Sequence, residues 1–222
     1  MFKEHILNLF YPPKCVLCKK VLSAEETDLC HTCRADAPEF IKSKTSVSFV
    51  AGWTGLWYYK DKVRYSLLRY KFYNRRSYGS VYGRLLAMKL YRQPLCHYQV
   101  LTWVPVGRRR LCQRGYDQVE LIARSLGEEL GTPALPVLEK ARNTPPQSGI
   151  ADAARRRANV MGAYRVPSPQ QITGKTVLLI DDILTTGATA SECARTLLTA
   201  GAKEVYCATV AVAPHDNKEK RR

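Results

Sequence analysis

The sequence predicts an α/β fold with a small metal-binding module near its N-terminus. Two apolar runs, Val100 to Val106 and Val177 to Ile180, are typical of parallel strands that are buried on both faces. A helix with an apolar face follows each run, and four cysteines lie within residues 15–33. A chain of 222 residues has room for one α/β domain and a small additional module.

The residues after the second apolar run have the composition of a phosphate-binding loop. Asp181 and Asp182 follow the strand at its carboxyl end, where ligands bind in open α/β sheets. Gly187 allows a turn that directs successive amides at one anion, and the next helix adds the positive end of its dipole. The two carboxylates can accept hydrogen bonds from sugar hydroxyls or hold a metal that bridges to the ligand. The alternative is an ordinary polar turn, which repulsion between adjacent carboxylates disfavours.

Two further basic segments are candidates for contacts with phosphate. Gly107 and three arginines follow the first apolar run, and arginines at a strand end can bind a diphosphate in a bidentate manner. Asp117 and Glu120 then form a predicted capping box at the start of a helix. Residues 140–165 carry many basic residues and two adjacent prolines. This composition is typical of a mobile loop that closes over a phosphorylated ligand, or of a charged surface hairpin.

Cys15, Cys18, Cys30 and Cys33 form two CxxC pairs with the spacing of a tetrahedral zinc site. All four ligand positions are filled, which indicates a structural rather than a catalytic metal. Disulfides are the alternative. Residues 1–10 lack the continuous apolar segment of a secretory signal, so we expect a cytoplasmic protein with reduced thiols and no membrane span.

The net charge of +16 favours partners that carry phosphate. Residues 57–92 interleave ten basic residues and eight tyrosines with a single acid, Asp61. Such a mixture is typical of single-stranded nucleic acid binding, through base stacking and neutralisation of the backbone. It is equally typical of amphipathic helices whose tyrosines pack on the core.

The segment from Val177 to Thr189 closely resembles the phosphoribosyl pyrophosphate signature of type I phosphoribosyltransferases. The resemblance implies a Rossmann-like type I phosphoribosyltransferase fold, with Asp181 and Asp182 on the ribose hydroxyls. It also implies two groups of ligand contacts: Thr185, Thr186, Gly187, Ala188 and Thr189 for the 5′-phosphate, and Pro105, Val106, Gly107, Arg108, Arg109 and Arg110 for the pyrophosphate. Members of this group that act in purine salvage carry an acid where Thr185 stands, so purine salvage is disfavoured.

Nearly the whole chain resembles the ComF family, also described as GntX-like or late-competence proteins. The resemblance rests on the cysteine module, Arg114 to Gln118, the Arg142, Thr144 and Gln147 pattern, and the paired acids, while Asp117 stands where the family often has Asn. Membership implies that the chain binds phosphoribosyl pyrophosphate with Mg²⁺. It also implies a role in DNA uptake or DNA use, with single-stranded DNA and a competence helicase as partners. The alternative is a catalytically active phosphoribosyltransferase with an unidentified acceptor. In it, Arg108 to Arg110 would stabilise the leaving pyrophosphate, and Asp181 and Asp182 would lie near the developing oxocarbenium charge.

These features predict four parts of the chain. Residues 1–40 contain the zinc-ribbon-like module, and residues 41–99 form a connecting segment rich in tyrosine and arginine that packs on the core. Residues 100–214 form the phosphoribosyltransferase-like domain, and residues 215–222 form a charged, disordered tail.

Overall fold

The computed structural model describes residues 12–41, 46–142 and 153–214. The predicted disordered tail, the middle of the predicted mobile loop and the segment considered as a secretory signal lie outside the described residues. None of the described helices is long and apolar enough to cross a bilayer.

The described residues form short helices and two sheets. In chain order the elements are α1 (His31–Asp36), β1 (Gly52–Tyr58), α2 (Asp61–Phe72), α3 (Tyr78–Arg92), β2 (Val100–Trp103), α4 (Arg108–Arg114), α5 (Gln118–Leu130), β3 (Glu139–Lys140), α6 (Ala153–Val160), β4 (Tyr164–Arg165), a 3₁₀ turn (Pro169–Gln171), β5 (Thr176–Leu184), α7 (Ala188–Thr199) and β6 (Glu204–Val212).

The main sheet has the strand order β1-β6-β5-β2, and all of its strands are parallel. The side chains of β5 alternate between two cores. Leu178 and Ile180 join the core that contains α3 and α5, whereas Val177 and Leu179 join the core formed with α7. Because both faces of β5 are covered, its sequence is a continuous apolar run rather than an alternating pattern. A parallel sheet with helices on both faces confirms the predicted α/β class.

Two sequence-based boundaries differ from the structure. The strand expected at Val177 to Ile180 continues as far as Leu184, because the backbone of Asp181 and of the residues after it still pairs with β6. The segment 41–99, expected only to connect and to pack on the core, also contributes β1 to the edge of the main sheet. Gly55 permits this close pairing, since a Cβ there would lie 2.5 Å from a methyl group of Val212.

Helices α2 and α3 and the residue after α2 carry most of the tyrosines of the basic segment, and these include a buried set and an exposed set. Tyr70 and Tyr82 are fully buried and lie edge to face at a ring distance of 5.5 Å. Tyr65, Tyr73 and Tyr91 are each more than half exposed. The packing interpretation therefore holds for the buried set, and only the exposed set is available for base stacking.

Candidate functional site

A cavity of about 720 Å³ opens at the carboxyl ends of β2 and β5. Its walls come from β5 and the loop that follows it, from the segment after β2, from the end of α2 and from the β3-β4 hairpin. The polar and charged lining residues are Tyr59, Lys71, Asn74, Arg110, Gln113, Arg114, Tyr116, Gln118, Lys140, Tyr164, Asp181, Asp182, Thr185 and Thr189. Apart from the two acids, the charged side chains in this set are all basic.

The segment from Thr185 to Thr189 contains the turn between β5 and α7 and the first two residues of α7, and it forms one edge of the cavity. Gly187 stands at the N-cap of α7 with a φ angle of +74°, a left-handed conformation that favours glycine. Helix α7 begins at Ala188, so its first amides have no partner within the helix and point toward the loop. The hydroxyl of Thr186 is buried without a hydrogen-bond partner among the described residues. This loop has the geometry of an anion site, and the individual contacts assigned to its residues stay predictions.

Asp181 and Asp182 are both buried at this end of β5. The pKa of Asp181 is raised to about 8, mainly by burial and to a smaller extent by the neighbouring charge of Asp182. One oxygen of Asp181 accepts a hydrogen bond of 2.8 Å from the backbone amide of Asp182. Asp181 is therefore mostly protonated at neutral pH, and this proton reduces the repulsion between the two side chains.

Asp182 interacts with two side chains that come from outside the loop. The ammonium group of Lys71, at the end of α2, lies 3.0 Å from Oδ1 and 2.9 Å from Oδ2. Nε2 of Gln118 donates to Oδ2 at 3.4 Å, and Oε1 of the same amide is buried with no described partner. The sequence did not indicate either contact, because 111 residues separate Lys71 from Asp182.

The structure selects among the arginines that follow β2. Arg110 and Arg114 line the cavity, whereas Arg108 and Arg109 are exposed on the first turn of α4 and do not line it. Burial lowers the pKa of Arg114, and burial together with the charge of Arg110 lowers the pKa of Lys140. Both cations are therefore partly desolvated, and an anion in the cavity would stabilise their charged forms.

Asp117 fixes the segment between β2 and α5. Its Oδ1 accepts from the amides of Val119 at 2.9 Å and Glu120 at 3.2 Å, so it is the N-cap of α5. Its Oδ2 accepts from the amide of Val106 at 2.9 Å. One side of the predicted capping box is thus formed, while the carboxylate of Glu120 pairs with Arg124 instead. Pro105 and Val106 line the cavity, and Gly107 is the N-cap of α4.

The β3-β4 hairpin carries the ends of the predicted mobile loop and is attached to α7. Glu192 on α7 accepts a 2.7 Å hydrogen bond from the amide of Gly162, next to the hairpin. Arg142 donates to the carbonyl of Met161 at 2.8 Å. Lys140 and Tyr164 project from the hairpin to the cavity, with the ammonium group of Lys140 5.2 Å from the ring centre. Thr144 and Gln147 lie outside the described residues.

The four cysteines of the N-terminal module come together. Their sulfurs lie within 4.8 Å of one another, and those of Cys18 and Cys30 are 3.6 Å apart. Tetrahedral zinc with bonds of about 2.3 Å would separate its sulfur ligands by about 3.8 Å, so the four thiols fit this metal. The module is a structural zinc site.

Helix α2 carries the zinc module. Arg69 donates to the carbonyls of Val16 at 3.1 Å and Leu17 at 2.7 Å, and Ser66 also donates to Val16. Arg84 on α3 forms an ion pair with Asp28 between the two cysteine pairs. The apolar residues of the module belong to the same core as α2 and α3. The metal site and the cavity thus share one supporting helix.

Comparisons with known families match two parts of the chain. Residues 121–222 match the phosphoribosyl transferase domain family, and residues 6–45 match the double zinc ribbon domain family. Only four cysteines lie in this second range, which is the number that a single zinc site requires. Together with the parallel sheet, the matches confirm the predicted phosphoribosyltransferase fold with its N-terminal cysteine module.

Similar proteins include Competence protein F of Haemophilus influenzae. It is 24% identical over 219 residues, which cover 88% of this chain and 95% of that protein. DNA utilization protein YhgH of Escherichia coli O157:H7 is 31% identical over 144 residues, which cover 62% of each chain. Among solved structures, a glutamine phosphoribosylpyrophosphate amidotransferase from B. subtilis aligns with a TM-score of 0.45 and 22% identity. That alignment covers 64% of this chain and 30% of the amidotransferase.

Proposed function

Because this chain belongs to the ComF family of type I phosphoribosyltransferases, we propose that it binds phosphoribosyl pyrophosphate and acts in the uptake or use of DNA. The observation that carries the proposal is the arrangement at the end of β5. The wall of the cavity there contains, in chain order, two buried acids, a glycine turn and the N-terminus of α7. The other charged groups that line the cavity are cations. This arrangement provides acceptors for sugar hydroxyls beside donors for a phosphate.

The proposed ligand presents three chemical groups to the cavity. The 5′-phosphate would accept from the loop Thr185 to Thr189 and the first amides of α7. The ribose hydroxyls would donate to Asp182, and Asp181 would take part through its carboxyl group. The diphosphate would lie among Arg110, which belongs to the predicted group Arg108 to Arg110, and Arg114 and Lys140, which also line the cavity. Mg²⁺ would neutralise diphosphate oxygens and bind Asp182.

The proposed DNA role rests on the related proteins and on the surface of α2. The two relatives described above are named for competence and for DNA utilization. Near the cavity, Phe72 and Tyr73 are exposed, and the guanidinium of Arg114 lies 5.2 Å from the ring centre of Phe72. Exposed rings next to cations suit the stacking of single-stranded bases. The DNA would enter the cytoplasm in single-stranded form, with a competence helicase as a further partner.

The proposed ligand is tested by calorimetry with phosphoribosyl pyrophosphate and Mg²⁺. The unmutated protein should bind, and the double variant Asp181→Ala with Asp182→Ala should lose binding. The double variant Arg108→Ala with Arg109→Ala is the matched control, because these exposed side chains lie outside the cavity, and it should bind within a few-fold of the unmutated protein. The absence of any binding by the unmutated, zinc-loaded protein would refute the proposal.

A second experiment separates a ligand-binding protein from an active transferase. The observation in favour of catalysis is that Arg110 and Arg114 line the cavity, where they could stabilise a departing pyrophosphate. Release of pyrophosphate is measured with a panel of bases, amines and acids as acceptors. Release that depends on one acceptor and is lost on Arg114→Met would establish a transferase, whereas binding without release would support the non-catalytic role.

A further inference from the structure

Lys71 holds both oxygens of Asp182, although it belongs to a helix outside the matched phosphoribosyl transferase domain. Its ammonium group faces the cavity, and only 19% of the side chain is exposed. In this state a lysine occupies the place next to Asp182 that a cation of the ligand would take. A structural role alone would not require the lysine to lie in the wall of the cavity.

A divalent cation and Lys71 would compete for the carboxylate of Asp182. Magnesium binds carboxylate oxygens at about 2.1 Å, and the ammonium group of Lys71 lies 2.9 Å and 3.0 Å from the two oxygens of this carboxylate. Two cations at such distances repel each other strongly in a partly desolvated site. A magnesium ion that binds Asp182, as proposed above, would therefore favour movement of the ammonium group away from this carboxylate.

We propose that Lys71 is a ligand-binding residue that exchanges partners: its ammonium group leaves Asp182 for the phosphate oxygens of the entering ligand as Asp182 passes to the ligand's cation or hydroxyls. This inference rests on the proposed function of the cavity. Oε1 of Gln118, beside the same carboxylate, has no hydrogen-bond partner among the described residues, which is a second sign that a ligand completes the surroundings of Asp182.

The chain allows the side chain of Lys71 to move while its backbone stays fixed. Arg69 and Ser66 attach the preceding turn of α2 to the zinc module, and the hydroxyl of Tyr70 donates to the carbonyl of Gln118 at 2.6 Å. Lysine carries a compact charge on a flexible four-carbon stem, which suits a transfer between two anions. An arginine at this position would form a bidentate pair with Asp182 that is harder to release.

The exchange is tested by calorimetric titration of phosphoribosyl pyrophosphate at a series of Mg²⁺ concentrations. Lys71→Met should lower the affinity at saturating Mg²⁺ by about 10-fold to 100-fold, because a charge-assisted hydrogen bond is lost. The same variant should reach half-maximal binding at a lower Mg²⁺ concentration, since the competing cation is gone. Lys71→Arg, which keeps the ion pair, should require more Mg²⁺ than the unmutated protein.

Lys62→Met is the matched control, because Lys62 is exposed on the first turn of the same helix. It should leave the affinity and the Mg²⁺ dependence unchanged, and thermal unfolding establishes that each variant is folded. An unchanged affinity in Lys71→Met, or an unchanged Mg²⁺ dependence in both Lys71 variants, would overturn the exchange. Those results presuppose ligand binding by the unmutated protein, whose absence would instead overturn the proposed function.

Discussion

Replacing Asp181 with asparagine should stabilise the protein, and the gain should grow with pH. Asp181 has an ordinary pKa of 3.8, which burial and the neighbouring Asp182 raise to about 8 in the folded state. Between these two values the folded protein holds a proton that the unfolded chain releases, so stability falls as the pH rises. Above about pH 8 both states are ionised and the penalty becomes constant. An asparagine has no such proton to lose.

The size of the effect follows from the shift in pKa. One pKa unit corresponds to about 1.4 kcal/mol, so the penalty reaches on the order of 4 kcal/mol at pH 7 and nearly vanishes at pH 4. The asparagine can keep the hydrogen bond from the amide of Asp182, because its Oδ1 is also an acceptor. For a chain of this length about 1 kcal/mol changes the melting temperature by roughly 2–4 °C, which predicts a rise of about 10 °C at pH 7.

Thermal unfolding of both proteins from pH 4 to pH 8 measures the effect. Asp182→Asn is the matched control, because it removes the salt bridge to Lys71 and should destabilise the protein by about 1–3 kcal/mol. Asp181→Asn should also weaken binding of phosphoribosyl pyrophosphate, a stability gain with a loss of function. A difference in melting temperature that is independent of pH, or a loss of stability at pH 7, would refute the assigned protonation state.

Three further changes test the framework around the site. Gly187→Ala should lower both stability and phosphate affinity, since it combines a positive φ with a Cβ only 3.0 Å from Val47. Thermal melting measures the loss of stability, and calorimetry measures the loss of affinity. Asp117→Ala should destabilise the protein by about 2 kcal/mol, because it removes the N-cap of α5 and the acceptor of the Val106 amide. Denaturant unfolding measures this loss. Asp117→Asn should retain most of the stability. Removal of zinc with a chelator should unfold the cysteine module and lower the melting temperature, and unchanged melting after verified loss of metal would contradict a structural role.

The sequence predicted those parts of the site that depend on neighbouring residues. The acids and the glycine turn lie next to each other in the chain, so one strand, one loop and one helix are enough to place them. Asp117 was recognised as an N-cap for the same reason. The four cysteines could be assigned to one metal because a CxxC pair already fixes two sulfurs on one side of the ion.

The parts that the sequence missed depend on contacts between distant segments. The pairing of Lys71 with Asp182 arises only when α2 packs beside the carboxyl end of β5. Among the three predicted arginines, the structure places only Arg110 in the wall of the cavity, because the first turn of this short helix faces solvent, and Arg114 joins it from the last turn. A run of arginines has no alternation that could reveal which members point inward. Strand β1 was missed because two glycines weaken its apolar pattern.

The position of α2 changes how the basic, tyrosine-rich segment is understood. One turn of this helix binds the carbonyls between the first pair of cysteines through Arg69, and its last turn reaches Asp182 through Lys71. Buried Tyr70, between them, hydrogen-bonds to the start of α5. The segment is therefore first a scaffold that joins the zinc module to the cavity, and any DNA contact is left to its exposed rings. Of the exposed rings, Phe72 and Tyr73 lie at the end of the same helix, so DNA bound to these two would lie next to the cavity rather than on a separate module.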